Sequence, residues 1–308
     1  AAREAFKKFS KTSIHQRIEY LSNIRNSFLK YSEKFAQVMT AEMGAPIVFS
    51  REEQVTSADL QFSATIEAAK NFDWEINNGS SHVIKEGIGV VAMITPWNWP
   101  LNQIICKVAP AIISGCTMVL KPSELSPLSA LLFCEVIEES GLPKGVFNLV
   151  NGRGDEIGKY LSSHEDIDMV SFTGSTRAGI SVAQAASHTV KRVTQELGGK
   201  SPNIILDTAN IEDAVRAGVE ACFVNAGQSC DAPSRMLVPR KLYDQVTEIA
   251  KKRALEFVVG NPLNEKTDIG PVISSVHYNR IQEYIKSGID EGATLICGGI
   301  GHPKGKEN

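Results

Sequence analysis

The 308-residue chain is 43% apolar and 22% charged, with a net charge of −3, the balance of a globular protein long enough for two packed domains. Its charges are scattered, so no basic face points to nucleic acid and no polybasic run points to an anionic membrane. The longest apolar stretches, such as Val90–Ile94, are far too short to span a bilayer, and the first residues run straight into a helical pattern with no signal-peptide character.

Helices come first. Ser13 with Gln16 forms a capping box, and Ile14, Ile18, Leu21, Phe28, Phe35 and Val38 behind it make one amphipathic helical stripe that Gly44 and Pro46 end. A second helix is expected over about 52–70. From Lys85 the rhythm changes to short β-branched runs alternating with helices: strands at Val90–Ile94, 117–120, 146–150 and 169–172, and a helix over 101–114. Between the second and third strands lies a helix with Ser126 as N-cap, Pro127 in its first turn and Gly141 with Pro143 as its stop. Strand–helix alternation of this kind predicts an α/β fold, a doubly wound parallel sheet of Rossmann-like type covered on both faces. Ligands of such sheets bind at the carboxyl ends of the strands. A strand over 203–206, a helix over 211–223, a strand near 236–238 and a helix over 242–257 begin a second α/β unit. The expected domains are 1–198 and 199–308.

Five segments at strand or helix ends are chemically loaded. In Thr95-Pro96-Trp97-Asn98-Trp99-Pro100, prolines and tryptophans stiffen a loop around Asn98, whose amide then suits an oxyanion hole or a purely structural turn. In Lys121-Pro122-Ser123-Glu124, a Lys and a Glu three apart can grip the hydroxyls of a ribose, or form an ordinary surface pair. Phe172-Thr173-Gly174-Ser175-Thr176-Arg177-Ala178-Gly179 follows a strand and opens a helix, the context of a phosphate site, though the spacing is not G-x-G-x-x-G and a ligand-less N-cap competes. In Glu196-Leu197-Gly198-Gly199 a carboxylate beside two glycines is accessible enough for a general base, or merely solvated. Asn225-Ala226-Gly227-Gln228-Ser229-Cys230 leaves a thiol accessible among small residues, although a buried structural cysteine is the ordinary alternative. The six cysteines form no C-x-x-C pair and no metal-ligand spacing, which implies reduced thiols, a cytoplasmic location and no metal site.

Together these segments resemble the aldehyde dehydrogenase superfamily, whose motifs they match in order and at close to the family's spacing; Ile269-Gly270-Pro271-Val272-Ile273-Ser274 matches a further one. The resemblance implies a hydrolytic, NAD(P)-dependent enzyme that oxidises a small-molecule aldehyde to an acid. It assigns Cys230 as nucleophile, Asn98 as oxyanion-stabilising amide with the Cys230 backbone N–H, and Glu196 as general base. Lys121 and Glu124, with Ser123 between them, fall at the adenosine ribose; Gly174, Ser175 and Gly179 fall at the pyrophosphate turn. Ile94, Pro96, Trp97, Gly154, Phe172 and Leu197 fall on the walls of the cofactor site. Glu124 beside a ribose 2′ position would repel a 2′-phosphate, favouring NAD, with NADP possible because Lys121 offsets part of that repulsion.

The chain lacks the family's earlier N-terminal stretch, its late Glu-aromatic-Gly-Pro motif and its C-terminal oligomerisation strand. It is therefore expected to be a piece, truncated at both ends and incomplete in its second domain, of a longer enzyme that works as a homo-oligomer. Two alternatives stand beside the hydrolytic reading. One is a coenzyme A-acylating relative, against which Glu196 argues; the other is a catalytically silent binding protein, against which the joint presence of Asn98, Glu196 and Cys230 argues.

Overall fold

A computed structural model describes residues 1–303. The chain forms two compact units, one of residues 1–42 with 50–197 and one of residues 43–49 with those from 198 onward.

The first unit opens with α1 (Ala2–Phe9), α2 (Ile14–Lys30) and α3 (Ser32–Met43). Ser13 caps α2 as expected: its hydroxyl accepts from the Gln16 amide while the Gln16 side chain accepts from the Ser13 amide. The single stripe expected from Ile14 to Val38 is in fact two helices. Tyr31 leaves the helical conformation (φ −99°, ψ 5°) and ends α2, and the ring centroids of Phe28 and Phe35, on the two helices, lie 5.0 Å apart. After the short α4 (Ile47–Phe49), which belongs to the second unit, a π-helical turn leads into α5 (Val55–Asn71). Phe62 of α5 closes the aromatic cluster at 5.5 Å from Phe28. An antiparallel hairpin, β1 (Glu75–Asn78) and β2 (Ser81–Ile84), follows and is exposed at every position. No buried face imposes a pattern on it, which explains why its residues did not announce a strand.

The sheet of this unit holds five parallel strands in the order β5-β4-β3-β6-β7: β3 (Val90–Ile94), β4 (Thr117–Lys121), β5 (Phe147–Leu149), β6 (Met169–Gly174) and β7 (Arg192–Leu197). β3 is buried at all five positions, so it reads as a continuous apolar run. Successive side chains leave on opposite faces. Val90, Ala92 and Ile94 join Val170, Phe172, Val182 and Ala186 in one apolar cluster, to which α9 (Thr176–Ser187) contributes. On the other face lies α6 (Pro100–Ile113), followed in the chain by α7 (Leu128–Glu139), whereas the short α8 (Lys159–Ser163) packs against α9 and adds Leu161 to the same cluster. The sheet is thus a doubly wound α/β sheet. The chain proceeds outward from β3 to β4 and β5, then returns to place β6 on the far side of β3. The carboxyl end of β3 is therefore the switch point at which such sheets bind ligands.

Two further departures from expectation lie in this unit. β7 was not foreseen: it is an edge strand whose positions alternate between exposed and half-buried, so it carries no run of apolar residues. The N-terminus of α7 lies one residue later than expected, with Pro127 and not Ser126 at the N-cap. The pyrrolidine side chain offers no acceptor, and the carboxylate of Glu42 does the capping, accepting from the amides of Leu128 (2.7 Å) and Ser129 (3.3 Å).

In the second unit β8 (Pro202–Ile204) and β9 (Arg235–Leu237) pair in parallel and are linked through α10 (Ile211–Phe223). With α11 (Tyr243–Glu256), these elements enclose a small core of Ile205, Val215 and Val246. The unforeseen α12 (Ser275–Asp290) has no buried residue. Its N-cap Ser274 accepts from the His277 amide at 3.2 Å. No helix among the described residues is long and apolar enough to cross a membrane, and no group of three His, Cys, Asp or Glu side chains among them is disposed to hold a metal ion.

Candidate active site

Strand register brings six of the candidate residues of the first unit to one edge. Ile94 is paired with Lys121 on one side and Phe172 on the other, and Thr173 and Gly174 are paired with Glu196 and Leu197. The carboxyl edge of the sheet therefore presents Lys121, Ile94, Phe172, Glu196 and Leu197 as a nearly continuous row. Glu196 is exposed at its end.

The loop after β3 is anchored at both ends. The Thr95 amide donates to the Lys121 carbonyl at 3.2 Å, and the Trp99 carbonyl accepts from the Gln103 amide at 2.9 Å as α6 begins at Pro100. In the middle of the loop the Asn98 carbonyl accepts from Nε2 of Gln54 at 3.1 Å. Pro96, Trp97 and Asn98 are half-buried. Gln54, fully buried on the turn before α5, was not singled out from the sequence; it lies 44 residues from Asn98, beyond the reach of any local pattern.

Lys121 is 2% exposed although charged, and its Nζ donates to Oε2 of Glu124 at 2.8 Å. The other carboxylate oxygen accepts from the Gly154 amide at 3.4 Å. Burial disfavours ionisation of Glu124, yet the bond and charge of Lys121 and the Gly154 amide outweigh it and hold the carboxyl below the usual range. Lys121, Glu124 and Gly154 thus form one polar cluster at the ends of β4 and β5. Ser123, buried in the same loop, accepts from the Leu125 amide through its hydroxyl.

Ser175 caps the twelve-residue α9, its hydroxyl oxygen accepting from the Ala178 amide at 3.2 Å. The hydroxyl hydrogen is left to donate toward an anion, where the helix N-terminus also favours negative charge. Gly174 serves this turn by its lack of a side chain: a Cβ there would fall 2.6 Å from the end of the Phe172 ring. At Gly179 a Cβ would fall 2.8 Å from Cδ2 of Leu197, and the Gly179 carbonyl accepts from Nε2 of Gln195 at 2.6 Å. α9 can therefore lie close on β7.

Cys230 is carried by the second unit. Among the described residues it is the one exposed cysteine; Cys116 is buried and Cys106, Cys134, Cys222 and Cys297 are half-buried. Burial pushes the thiols of Cys106, Cys134 and Cys222 up, away from the reactive thiolate. The turn before Cys230 holds three successive left-handed residues, Asn225 (φ 56°), Ala226 (φ 57°) and Gly227 (φ 73°). A clasp closes it. Gln228 donates through both its amide (3.1 Å) and its Nε2 (3.0 Å) to the Asn225 carbonyl, and Asn225 Nδ2 donates to the Gln228 carbonyl at 3.3 Å. Oε1 of Gln228 accepts from the Ile273 amide at 3.1 Å, tying the turn to the Gly270-Pro271-Val272-Ile273 segment. Within the same unit a Cβ on Gly199 would lie 3.3 Å from the Cys230 carbonyl, so the second glycine after Glu196 allows a close approach to the thiol's own peptide.

The family model of the aldehyde dehydrogenase family matches residues 1–308. The chain is 50% identical over 309 residues to a 3-succinoylsemialdehyde-pyridine dehydrogenase of a Pseudomonas species, covering all of this chain and 65% of that protein. It is similar to a cysteine-to-alanine mutant of aldehyde dehydrogenase C from Pseudomonas syringae, crystallised with NAD+ and octanal, at a TM-score of 0.98 and 50% identity over 99% of this chain and 63% of the other. Betaine aldehyde dehydrogenase from Staphylococcus aureus in complex with NAD+ superposes at a TM-score of 0.95 and 35% identity, over 99% of this chain and 62% of the other. The chain thus spans about 65% of the length of the curated relatives it matches. With its motifs and its doubly wound sheet, the chain belongs to the aldehyde dehydrogenase family.

Proposed function

We propose that this chain carries the cofactor-binding and nucleophile-bearing parts of a hydrolytic, NAD-linked aldehyde dehydrogenase, with the unit of residues 1–42 and 50–197 as the dinucleotide-binding domain and the unit from 198 onward, which also takes in 43–49, as part of the catalytic domain. The observation that carries the reading is the exposure of Cys230 on a turn of left-handed residues, while the other cysteines are wholly or partly buried.

The donor set fits the cofactor. The Lys121–Glu124 pair at the end of β4 offers a cation and a carboxylate, the chemistry that holds a ribose diol. The open space around Gly154 lets a ligand approach its backbone, for nothing lies within 4 Å of where its Cβ would be. Ser175 and the N-terminus of α9 suit the pyrophosphate, and Ile94, Pro96, Trp97, Phe172 and Leu197 suit the walls. Glu124, ionised and half-exposed, disfavours a 2′-phosphate and so favours NAD over NADP. The relatives crystallised with NAD+ support the same choice.

The Cys230 thiolate attacks the aldehyde carbon. A C–S bond forms and the carbonyl electron pair moves to oxygen, where the Asn98 amide and the Cys230 backbone N–H stabilise the charge. NAD held by Lys121, Glu124 and the Ser175 turn would supply the hydride acceptor needed to pass from thiohemiacetal to thioester, chemistry that no side chain provides. Glu196 then takes a proton from water, whose oxygen attacks the thioester carbon. The C–S bond breaks, the acid leaves and the Cys230 thiolate is restored.

The test is a panel of short, long and aromatic aldehydes on the natural full-length protein, with NAD and NADP run side by side and octanal as the first arm. NADH with free acid is the expected product. Acyl-CoA release at a CoA-dependent rate would replace hydrolysis by acylation, and no reduction of either cofactor with any aldehyde would favour the silent alternative.

A further inference from the structure

We propose that Glu42 is a positioning residue for the ribose-holding loop: by capping α7 from another helix it fixes the downstream anchor of the segment that carries Glu124. The proposal rests on the assignment of Lys121 and Glu124 to the cofactor ribose. That segment, residues 122–127, hangs between two fixed points. Upstream, Lys121 is paired within the sheet and almost wholly buried. Downstream, α7 begins at Leu128, four residues after Glu124. The first amides of a helix have no partner within it, and here the residue at the N-cap is Pro127, whose side chain forms no cap hydrogen bond.

The half-buried Glu42, near the end of α3, supplies what is missing. Its Oε2 accepts from Leu128 N at 2.7 Å and Ser129 N at 3.3 Å, and its Oε1 accepts from Ser129 N at 3.3 Å. A carboxylate at a helix N-terminus also meets the favourable end of the peptide dipoles. Burial nevertheless pushes the Glu42 carboxyl up, against those hydrogen bonds, so holding the charge there costs stability that a local serine cap would spare. Between the anchors the loop is stiffened by Pro122 and Pro127 and by the Ser126 amide donating to the Ser123 carbonyl at 3.3 Å. A shift of the start of α7 is therefore transmitted to Glu124 and not absorbed within the loop.

The experiment measures the affinity of NAD and of AMP, which carries the adenosine ribose alone, by calorimetry on the natural full-length protein. Glu42→Ala is expected to raise both dissociation constants about tenfold, the scale of a lost helix cap. The rate at saturating NAD should stay within about twofold. Glu42→Gln keeps an oxygen in the place of Oε2 and should restore most of the affinity. AMP binding by a folded Glu42→Ala protein as tight as that of the parent would overturn the proposal. Should Glu42→Ala fail to fold, the parent decides: AMP should slow hydrogen exchange at the Leu128 and Ser129 amides, and an unchanged rate would count against the link. Glu124→Ala is the control. If it leaves AMP affinity unchanged, the ribose assignment itself fails; if it weakens AMP while Glu42→Ala does not, only the positioning role fails.

Discussion

Replacing Gln228 by Ala perturbs the turn of the proposed nucleophile, Cys230, without touching its thiol. Gln228 is 8% exposed, and its side chain donates to the Asn225 carbonyl at 3.0 Å and accepts from the Ile273 amide at 3.1 Å. The Asn225 carbonyl would keep the Gln228 backbone amide, but the Ile273 amide would lose this acceptor, a loss of about 1–3 kcal/mol. The clasp also restrains a turn in which Ala226 sits at φ 57° and ψ 31°, a conformation costing a residue with a Cβ about 1–2 kcal/mol. With the clasp gone, that strain favours relaxation of the turn two residues before Cys230. Misplacement of a reacting group by an ångström costs on the order of a hundredfold in rate, so kcat/KM for aldehyde should fall by about 10–100-fold while NAD affinity stays within about twofold. The alkylation rate of Cys230 by iodoacetamide, followed by peptide mass spectrometry, should change in parallel. Ala226→Gly removes the strain and should recover part of the loss in the double variant, a coupling that independent sites would not show. A folded Gln228→Ala protein with unaltered alkylation and unaltered kcat/KM would refute the role given to the clasp.

Glu124→Ala should raise the NAD dissociation constant about tenfold and narrow the preference for NAD over NADP; titration of both cofactors checks it, and an unchanged preference would remove Glu124 from that choice. Gly89 sits at φ +135°, and a Cβ there would fall 1.8 Å from Oδ2 of Asp168, the atom that accepts from Val90 N at 2.7 Å and pairs with Arg3 at 2.8 Å. Gly89→Ala should therefore destabilise by about 3 kcal/mol or more in urea unfolding, and a loss below about 1 kcal/mol would contradict the packing described. Glu33 is held down to about 2 by its bonds to Arg51 and then Gln37, against an ordinary value of 4.5. A depressed acid contributes stability above its unfolded pKa and loses it as pH falls through the folded one, so the stability difference between parent and Glu33→Gln should shrink as pH drops from about 4.5 toward 2. A difference flat across that window, measured by urea midpoints, would deny the bond its role.

How much of the molecule was readable depends on how local its causes are. β3 and β4 declared themselves because nearly every position in them is buried. β7 did not, because an edge strand exposes every second residue. The hairpin β1–β2, exposed throughout, had no pattern to read. The turns that carry Gly174, Ser175 and Cys230 were visible because their residues lie within a few positions of each other. Glu42 and Gln54 act across 86 and 44 residues, and only the folded chain reveals what they touch. The cap of α7 illustrates the difference: Ser126 satisfies every local rule for an N-cap, yet a distant carboxylate performs the task.

The central claim is that Cys230 carries the acyl group and Glu196 activates the water that removes it. Glu196→Gln in the natural full-length protein, mixed with NAD and octanal and sampled by rapid quench, tests both at once. The account predicts a burst of about one NADH per active site, then slow turnover, with the acyl mass on the peptide containing Cys230. Undiminished steady turnover, or an acyl mass on any other cysteine, would contradict it.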